Sequence, residues 1–350
     1  MVRVADARGK ALGTFFYNPH SLIAARLLSR DSDAAIGEDF LRARIEAAIG
    51  LREKFFATRH HRLVHAEADG LPGLIIDRYD DVFAVQANTA GMDKLLPDLI
   101  EVLSDLGPRA IVAKNDSPAR KQEGLLETVG LLAGRLDGPA SVEEGGVTFS
   151  VDLLGGQKTG WFYDQRFNRD AVAALAHDAT VLDAYCHTGA FGLRCAKAGA
   201  ARVTLLDRSA HALALASETA SANGLEATTL LGEVFDELAK LGGRAEKFDI
   251  VIADPPAFVK AKKDFDAGIR GYGKLASLAA PLVARGGFLF IASCSHHCPV
   301  DVFAQQIAWG LQRSGRTGRI LRSVGAGPDH PVHPMLPESA YLKGLLLQLD

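Results

Sequence analysis

The sequence predicts a doubly wound α/β domain in its second half, and three stretches carry that prediction. In VLDAYCHTGAFG (181–192), an apolar, β-rich strand over 180–186 passes through a tight turn containing Gly189 into a helix over 190–198. A buried strand feeding a helix through such a turn begins an open α/β sheet. FDIVIA (248–253) and GFLFIAS (287–293) are two further apolar runs of strand length. They give way to Asp254-Pro255-Pro256 and to Cys294-Ser295-His296-His297. Both would end on the carboxyl edge of the sheet, where ligands bind in this class of fold.

The composition is that of a soluble globular chain with ample core: 350 residues, 48% hydrophobic and 23% charged. A net charge of -3 gives no overall nucleic-acid signature, so any polyanion must be met by local patches. Four cysteines (Cys186, Cys195, Cys294, Cys298) do not make a disulfide framework and suit a reducing cytoplasm. The opening MVRVADARGK is neither a signal peptide nor a transit sequence. The longest apolar region, 275–293, is interrupted by Pro281, Arg285, Gly286 and Gly287, so no membrane span is expected.

In chain order, residues 1–33 read as a small β module, with short runs at 2–5, 12–17 and 22–28 and a turn at Arg8-Gly9-Lys10. Residues 1–62 hold eleven basic against seven acidic side chains, a net charge of +4, which suits RNA phosphates or a solvated face equally. Residues 34–150 read as a central α+β region. It has a helix over 39–57, hairpin signals at Asp69-Gly70 and Pro72-Gly73, strands at 82–87 and 110–113, and a helix over 92–106. Its His60, His61 and His65 read as packing or surface residues.

A strand pair over 142–154 turns at Gly145-Gly146. GGQKTGWFYDQRFNR (155–169) sets aromatics beside Lys158, Arg166 and Arg169, as the cover of a ligand or as a domain junction. The strand at 202–206 ends in Asp207, a helix over 210–222 stops at Asn223-Gly224, and a strand at 228–231 leads to Gly232-Glu233. Helices are expected over 269–284 and 300–311. The last strands are 319–324 and 341–349, the latter antiparallel at the far side of the sheet.

The turn lacks the G-x-G-x-x-G of dinucleotide binding. Asp183 at the mouth of the first strand and Asp207 after the second suit a cofactor with ribose hydroxyls and a cationic amino-acid end. S-adenosylmethionine has both, and a sulfonium as well; a nucleotide fold with some other ligand is the alternative. Glu233 could reach an adenine amine. A lone cysteine in an α/β core is ordinarily a small hydrophobe, but Cys294 follows a strand end opposite Asp254. A thiolate there could add to C6 of a pyrimidine and make C5 nucleophilic, with an acid near N3 and the base out of its stack. Cys294 to Cys298 has no second cluster to complete a zinc site.

Taken together, LGTFFYNPHSLIAARLLSR (12–30), AEADGLPGLIIDRYDD (66–81), KTGWFYDQRFNRDA (158–171), VLDAYCHTGAFG (181–192), DPPAF (254–258), GIRGYGKL (268–275), SCSHH (293–297) and DHPVHPMLPESAYLKG (329–344) resemble the bacterial 23S ribosomal RNA 5-methylcytosine methyltransferase I family. The resemblance implies a partial PUA-like β module (1–33), a central α+β domain (34–150) and a Rossmann-like class I methyltransferase domain (151–350). It implies S-adenosylmethionine as cofactor, large-subunit rRNA as substrate and a cytoplasmic enzyme; a homodimer would fit. Carried over by position, Cys294 is the nucleophile and Asp254 the acid. Asp183, Thr188, Gly189, Asp207 and Glu233 fall on cofactor positions, with Gln165 and Arg166 contributing.

Four departures stand out. By the resemblance the given sequence begins inside the PUA-like module, without its opening strands and helix, so either that module is incomplete or the start is placed too late; glycine also stands where the family tends to have histidine in Glu143-Glu144-Gly145-Gly146. Glu233 replaces an aspartate, and DPP carries no cysteine, unlike the two-cysteine RNA cytosine methyltransferases. Methylation of an RNA base nitrogen is the second reading, and a non-catalytic RNA-binding or assembly protein the third.

Overall fold

The computed structural model describes residues 1–156 and 159–350, so Lys158 lies outside the described residues. The chain forms two units: residues 1–142 with 150–163 and 328–334, and residues 143–149 with 164–327 and 335–350.

In the first unit, β1 (Val2–Ala5), β2 (Ala11–Tyr17) and β3 (Ala25–Ser29) make an antiparallel sheet in sequence order. Helix α1 (Glu38–Arg52) precedes a five-stranded sheet, also in sequence order. Its strands are β4 (His60–His65), β5 (Leu74–Tyr79), β6 (Val82–Ala87), β7 (Ala110–Asn115) and β8 (Thr128–Gly134). The expected helix over 92–106 is two helices, α2 (Ala90–Lys94) and α3 (Leu96–Ser104). Pro97, in the first turn of α3, has no N–H to continue the ladder of α2. Leu41 and Ile45 of α1 join Leu99 and Leu103 of α3 over Leu63, Ile76, Val85 and Ile111 in one core. Helix α4 (Pro118–Gln122) and strand β8 have no sequence signal of their own and were not anticipated.

Two arginines, the buried Arg52 and the partly buried Arg62, tie this unit together. Arg52 forks onto the Asp69 carboxylate (2.6 and 2.7 Å) and also donates to the Asp329 carbonyl at 3.0 Å. Arg62 forks onto Asp77 (2.8 and 2.9 Å), and its backbone N–H donates to the Asp329 carboxylate at 3.1 Å. Such bidentate, charge-assisted bonds fix geometry as well as adding energy.

Strands β9 (Ala140–Glu144) and β10 (Val147–Val151) form a two-stranded sheet around Gly145-Gly146. Helix α5 (Arg166–Ala173) then leads into the second unit's sheet. Its elements are β11 (Thr180–Ala184), α6 (Ala190–Lys197), β12 (Arg202–Asp207), α7 (Ala210–Ala222), β13 (Thr228–Leu231), α8 (Val234–Gly243) and β14 (Phe248–Ala253). They continue with α9 (Phe265–Ala279), β15 (Val283–Ser293), α10 (Val300–Arg313), β16 (Gly318–Val324) and β17 (Lys343–Leu349). The strand order is β13-β12-β11-β14-β15-β17-β16, with β17 antiparallel to both neighbours and the pairs among β11 to β15 parallel.

The order reverses beside β11, so the crevice between the carboxyl ends of β11 and β14 is the topological switch point. Strands β14 and β15 are buried on both faces, as continuous apolar runs in parallel sheets are. Leu238, Tyr272, Leu275, Phe303 and Ile307, from α8, α9 and α10, cover Val251, Leu289 and Ile291.

Two expectations are corrected. The helix expected over 269–284 ends at Ala279, a short 3₁₀ turn containing Pro281 follows, and Val283 already opens β15. The last strand does not lie at the far side of the sheet. Strand β17 sits between β15 and β16, because KGLLLQL is buried almost throughout whereas GRILRSV is exposed and takes the edge. Among the described residues, no helix is long and apolar enough to cross a membrane.

Candidate functional site

The turn after β11 is held in an unusual backbone conformation. Tyr185 (φ 63°), His187 (φ 51°) and Gly189 (φ 81°) all lie in the left-handed region, which non-glycine residues enter at a cost of about 1–3 kcal/mol each. Bonds from strand β12 over-determine it: Cys186 N–H donates to the Leu206 carbonyl (3.1 Å) and His187 N–H to the Asp207 carboxylate (2.9 Å). Sequence reasoning marked only the glycine here. Thr188 is half-buried in the same turn, and Gly189 is the N-cap of α6. Gly192 lets α6 approach the sheet, since a Cβ there would lie 3.0 Å from Val203 and 3.2 Å from the Asp183 carboxylate.

The strand ends collect carboxylates. Asp183 is buried and accepts the Gly192 N–H at 2.8 Å. Burial pushes its carboxyl up to about 8, with Asp254 and Asp207 adding repulsion. Asp207 accepts His187 N–H and Ser209 N–H, each at 2.9 Å, one on each oxygen. A carboxylate accepts about four hydrogen bonds, so ribose hydroxyls are still within its capacity. Glu233, the exposed N-cap residue of α8, stands beyond the end of β13.

Asp254 leaves the end of β14, where Gln165 Nε2 donates to its carboxylate at 2.9 Å. Gln165 is in turn oriented by Asn168, whose amide donates to Gln165 Oε1 (2.6 Å) and to the Gly325 carbonyl (3.2 Å). Gln165 thus reaches the strand edge as an orienter of Asp254, and Asn168 is a supporting residue that the sequence did not mark. Arg166 is buried with its Nε 3.5 Å from Glu144. Glu144 is also gripped by Arg169 (2.6 and 2.8 Å) and Arg194 (2.8 Å). Burial pushes its carboxyl up, but Arg169, Arg166 and Arg194 more than offset this and hold it at about 2. Gly145 (φ 56°) makes room for the cluster, since a side chain there would run into the Arg194 guanidinium. That accounts for the glycine after Glu144.

Strand β15 delivers Cys294 to the same edge, with Ala253 of β14 in register with Ile291. Cys294 is partly exposed; Cys186, Cys195 and Cys298 are buried. The neighbours of Cys294 are fixed by a polar network. Ser293 Oγ donates to the Tyr272 hydroxyl (2.7 Å), which is 2.7 Å from Ser295 Oγ, and Ser295 Oγ accepts the Val259 N–H at 3.1 Å. The segment after Asp254 and the segment carrying Cys294 are thereby bonded to each other.

A family model described as S-adenosylmethionine-dependent methyltransferase matches residues 128–346, and a PUA-like domain model matches residues 1–30. The chain belongs to the S-adenosylmethionine-dependent methyltransferase family. A protein named ribosomal RNA large subunit methyltransferase I from Shewanella amazonensis is 36% identical, over 99% of this chain and 90% of that one. One of the same name from Alteromonas mediterranea is 36% identical, over 99% and 89%. The crystal structure of SMU.776 complexed with SAH shares the fold at a TM-score of 0.86 and 22% identity, covering 99% of this chain and 90% of that one.

The cofactor of this methyltransferase is S-adenosylmethionine, and the site's electrostatics fit it. Burial, with two neighbouring carboxylates, pushes the Asp183 carboxyl up, a shift that an ammonium or sulfonium bound beside it would reverse. With the cofactor's cationic end beside Asp183, binding at pH 7 would release a proton as that carboxyl ionises. Without cofactor the raised carboxyl contributes stability that is full below about 3.8 and lost as pH rises through about 8. Calorimetry in buffers of different ionisation heat measures the release, and Asp183→Asn should abolish it. Binding with no buffer dependence in the native protein would contradict this.

Proposed function

We propose that this methyltransferase forms 5-methylcytosine in large-subunit ribosomal RNA through a covalent cysteine adduct. The observation that carries the reading is Cys294, the one cysteine of the four that is not buried, at the end of β15 beside the strand that ends in Asp254. The relatives named ribosomal RNA large subunit methyltransferase I, matched over nearly the whole chain, support the substrate class.

When bound, S-adenosylmethionine would supply an electrophilic methyl group on a cationic sulfur. Asp183, Asp207 and Glu233, with the turn at Thr188-Gly189, would hold its amino-acid, ribose and adenine parts. The Cys294 thiolate adds to C6 of the flipped-out cytosine. A sulfur–carbon bond forms, and the C5–C6 π pair becomes available at C5. Asp254, oriented by Gln165, supplies the proton or hydrogen bond at N3 that stabilises the adduct. After C5 is substituted, its proton leaves to a base, the C5–C6 double bond re-forms, and the Cys294 sulfur departs.

Mass spectrometry of rRNA from cells with and without the gene tests the reading. The expected outcome is loss of a single 5-methylcytosine from the large-subunit rRNA, restored by re-expression. Unchanged large-subunit modification would contradict it.

A further inference from the structure

Lys343 opens β17, directly across from Ser293 in the antiparallel ladder with β15. It is 4% exposed, and its ammonium donates to the carbonyls of Ser295 (2.6 Å) and Cys298 (2.7 Å). Those carbonyls bracket His296-His297, so a single nitrogen closes the turn that follows Cys294. Among the described residues no carboxylate lies within ion-pair distance of Lys343. A cation taken out of water without an anion is costly, and such arrangements are concentrated at functional sites. Burial pushes the ammonium toward neutrality, and the groups that work the other way are the thiols of Cys298 and Cys294.

The two thiols differ. Cys298 is 1% exposed and donates to the Pro299 carbonyl at 3.7 Å, a bond that requires the thiol to keep its proton. Burial raises its titration, an effect that Lys343 only partly offsets and that Asp301 at the start of α10 reinforces. Cys294 is partly exposed and can carry charge.

We propose that Lys343 is a positioning residue for the nucleophile, its ammonium fixing the 294–298 loop and favouring the Cys294 thiolate over the thiol. The inference rests on Cys294 being the nucleophile. Other described groups also face the loop. Tyr272 of α9 is kept neutral by burial, its hydroxyl engaged with Ser293 and Ser295. Asp254, from the end of β14, is an acid and carries no positive charge. His296 stacks on the Tyr341 ring and, like His297, is exposed to solvent.

The test is alkylation of Cys294 by iodoacetamide in the full chain, read by mass spectrometry of its peptide across a pH series. The native protein is expected to react with a midpoint below the ~8.5 of an unperturbed cysteine. Lys343→Met should raise that midpoint by about one pH unit or more, and Lys343→Arg should leave it near the native value. A native midpoint at or above the ordinary one overturns the proposal, whether or not the variants fold. So does a Met variant that titrates like the native protein, or an Arg variant that shifts as far as Met. The assay needs neither RNA nor methyl transfer. If Cys294 proves dispensable for methylation while its reactivity still follows Lys343, the proposed function fails, and what stands is the effect of Lys343 on the thiol, not a role in catalysis. In the opposite case this inference alone fails.

Discussion

Cys294→Ala is expected to lose RNA methylation by about four orders of magnitude or more, the scale on which deletion of a covalent nucleophile is felt. It is expected to keep native affinity for S-adenosylmethionine, since the residues proposed to hold the cofactor (Asp183, Asp207 and the turn between β11 and α6) are untouched. The split matters because C5 of cytosine has no lone pair to offer a methyl donor. Without sulfur at C6 there is no second route to the carbon. A nitrogen acceptor needs no adduct, so a variant that still transfers methyl groups at a rate comparable to the native enzyme would move the function to base nitrogen methylation. Labelled transfer to unmodified rRNA, with cofactor binding measured in parallel, separates the outcomes. Loss of both together would instead indicate a damaged fold.

Glu144→Ala is expected to destabilise the protein by about 3–5 kcal/mol, because it removes the buried anion shared by Arg169, Arg166 and Arg194 instead of a balanced pair. Arg169 is 2% exposed and Arg194 is 7% exposed, and Glu144 accepts from both. Chemical denaturation with a probe in the α5–α6 region would report the change. The cluster also predicts a pH dependence. A carboxyl held at about 2 in the folded state contributes stability that is present above the ordinary 4.5 and lost as pH falls through about 2. Acid unfolding of the native chain should therefore carry a component that the alanine variant lacks. Equal stability of the two at neutral pH would show that the arginines find water or other partners.

The sheet was readable because its central strands are unbroken apolar runs and its turns carry polar chemistry at the strand ends. Thr228–Leu231 and Phe248–Ala253 fall where the sequence puts them. Helix α8 went unread because Gly232 and Gly242-Gly243 mask a short amphipathic stretch. The sequence also misses what depends on partners far along the chain. Nothing local indicates that Lys343 faces Ser293, that Asn168 orients Gln165, or that Glu144 is shared by three arginines. Nor does Tyr185 or His187 announce a left-handed backbone, which Asp207, 20 residues after His187, helps to impose. The residue types of the candidate site were legible; the bonds that aim them were not.

The bonds from Arg52 and Arg62 to Asp329 have a consequence for synthesis. These contacts join positions 277 and 267 residues apart, so most of the polypeptide is made before the amino-terminal unit can acquire them. As the nascent chain emerges, Asp69 and Asp77 can neutralise the two guanidiniums early, leaving the Asp329 carbonyl and carboxylate as late additions. A ribosome stalled before that codon would carry an amino-terminal half with its ion pairs in place but its last latch still open.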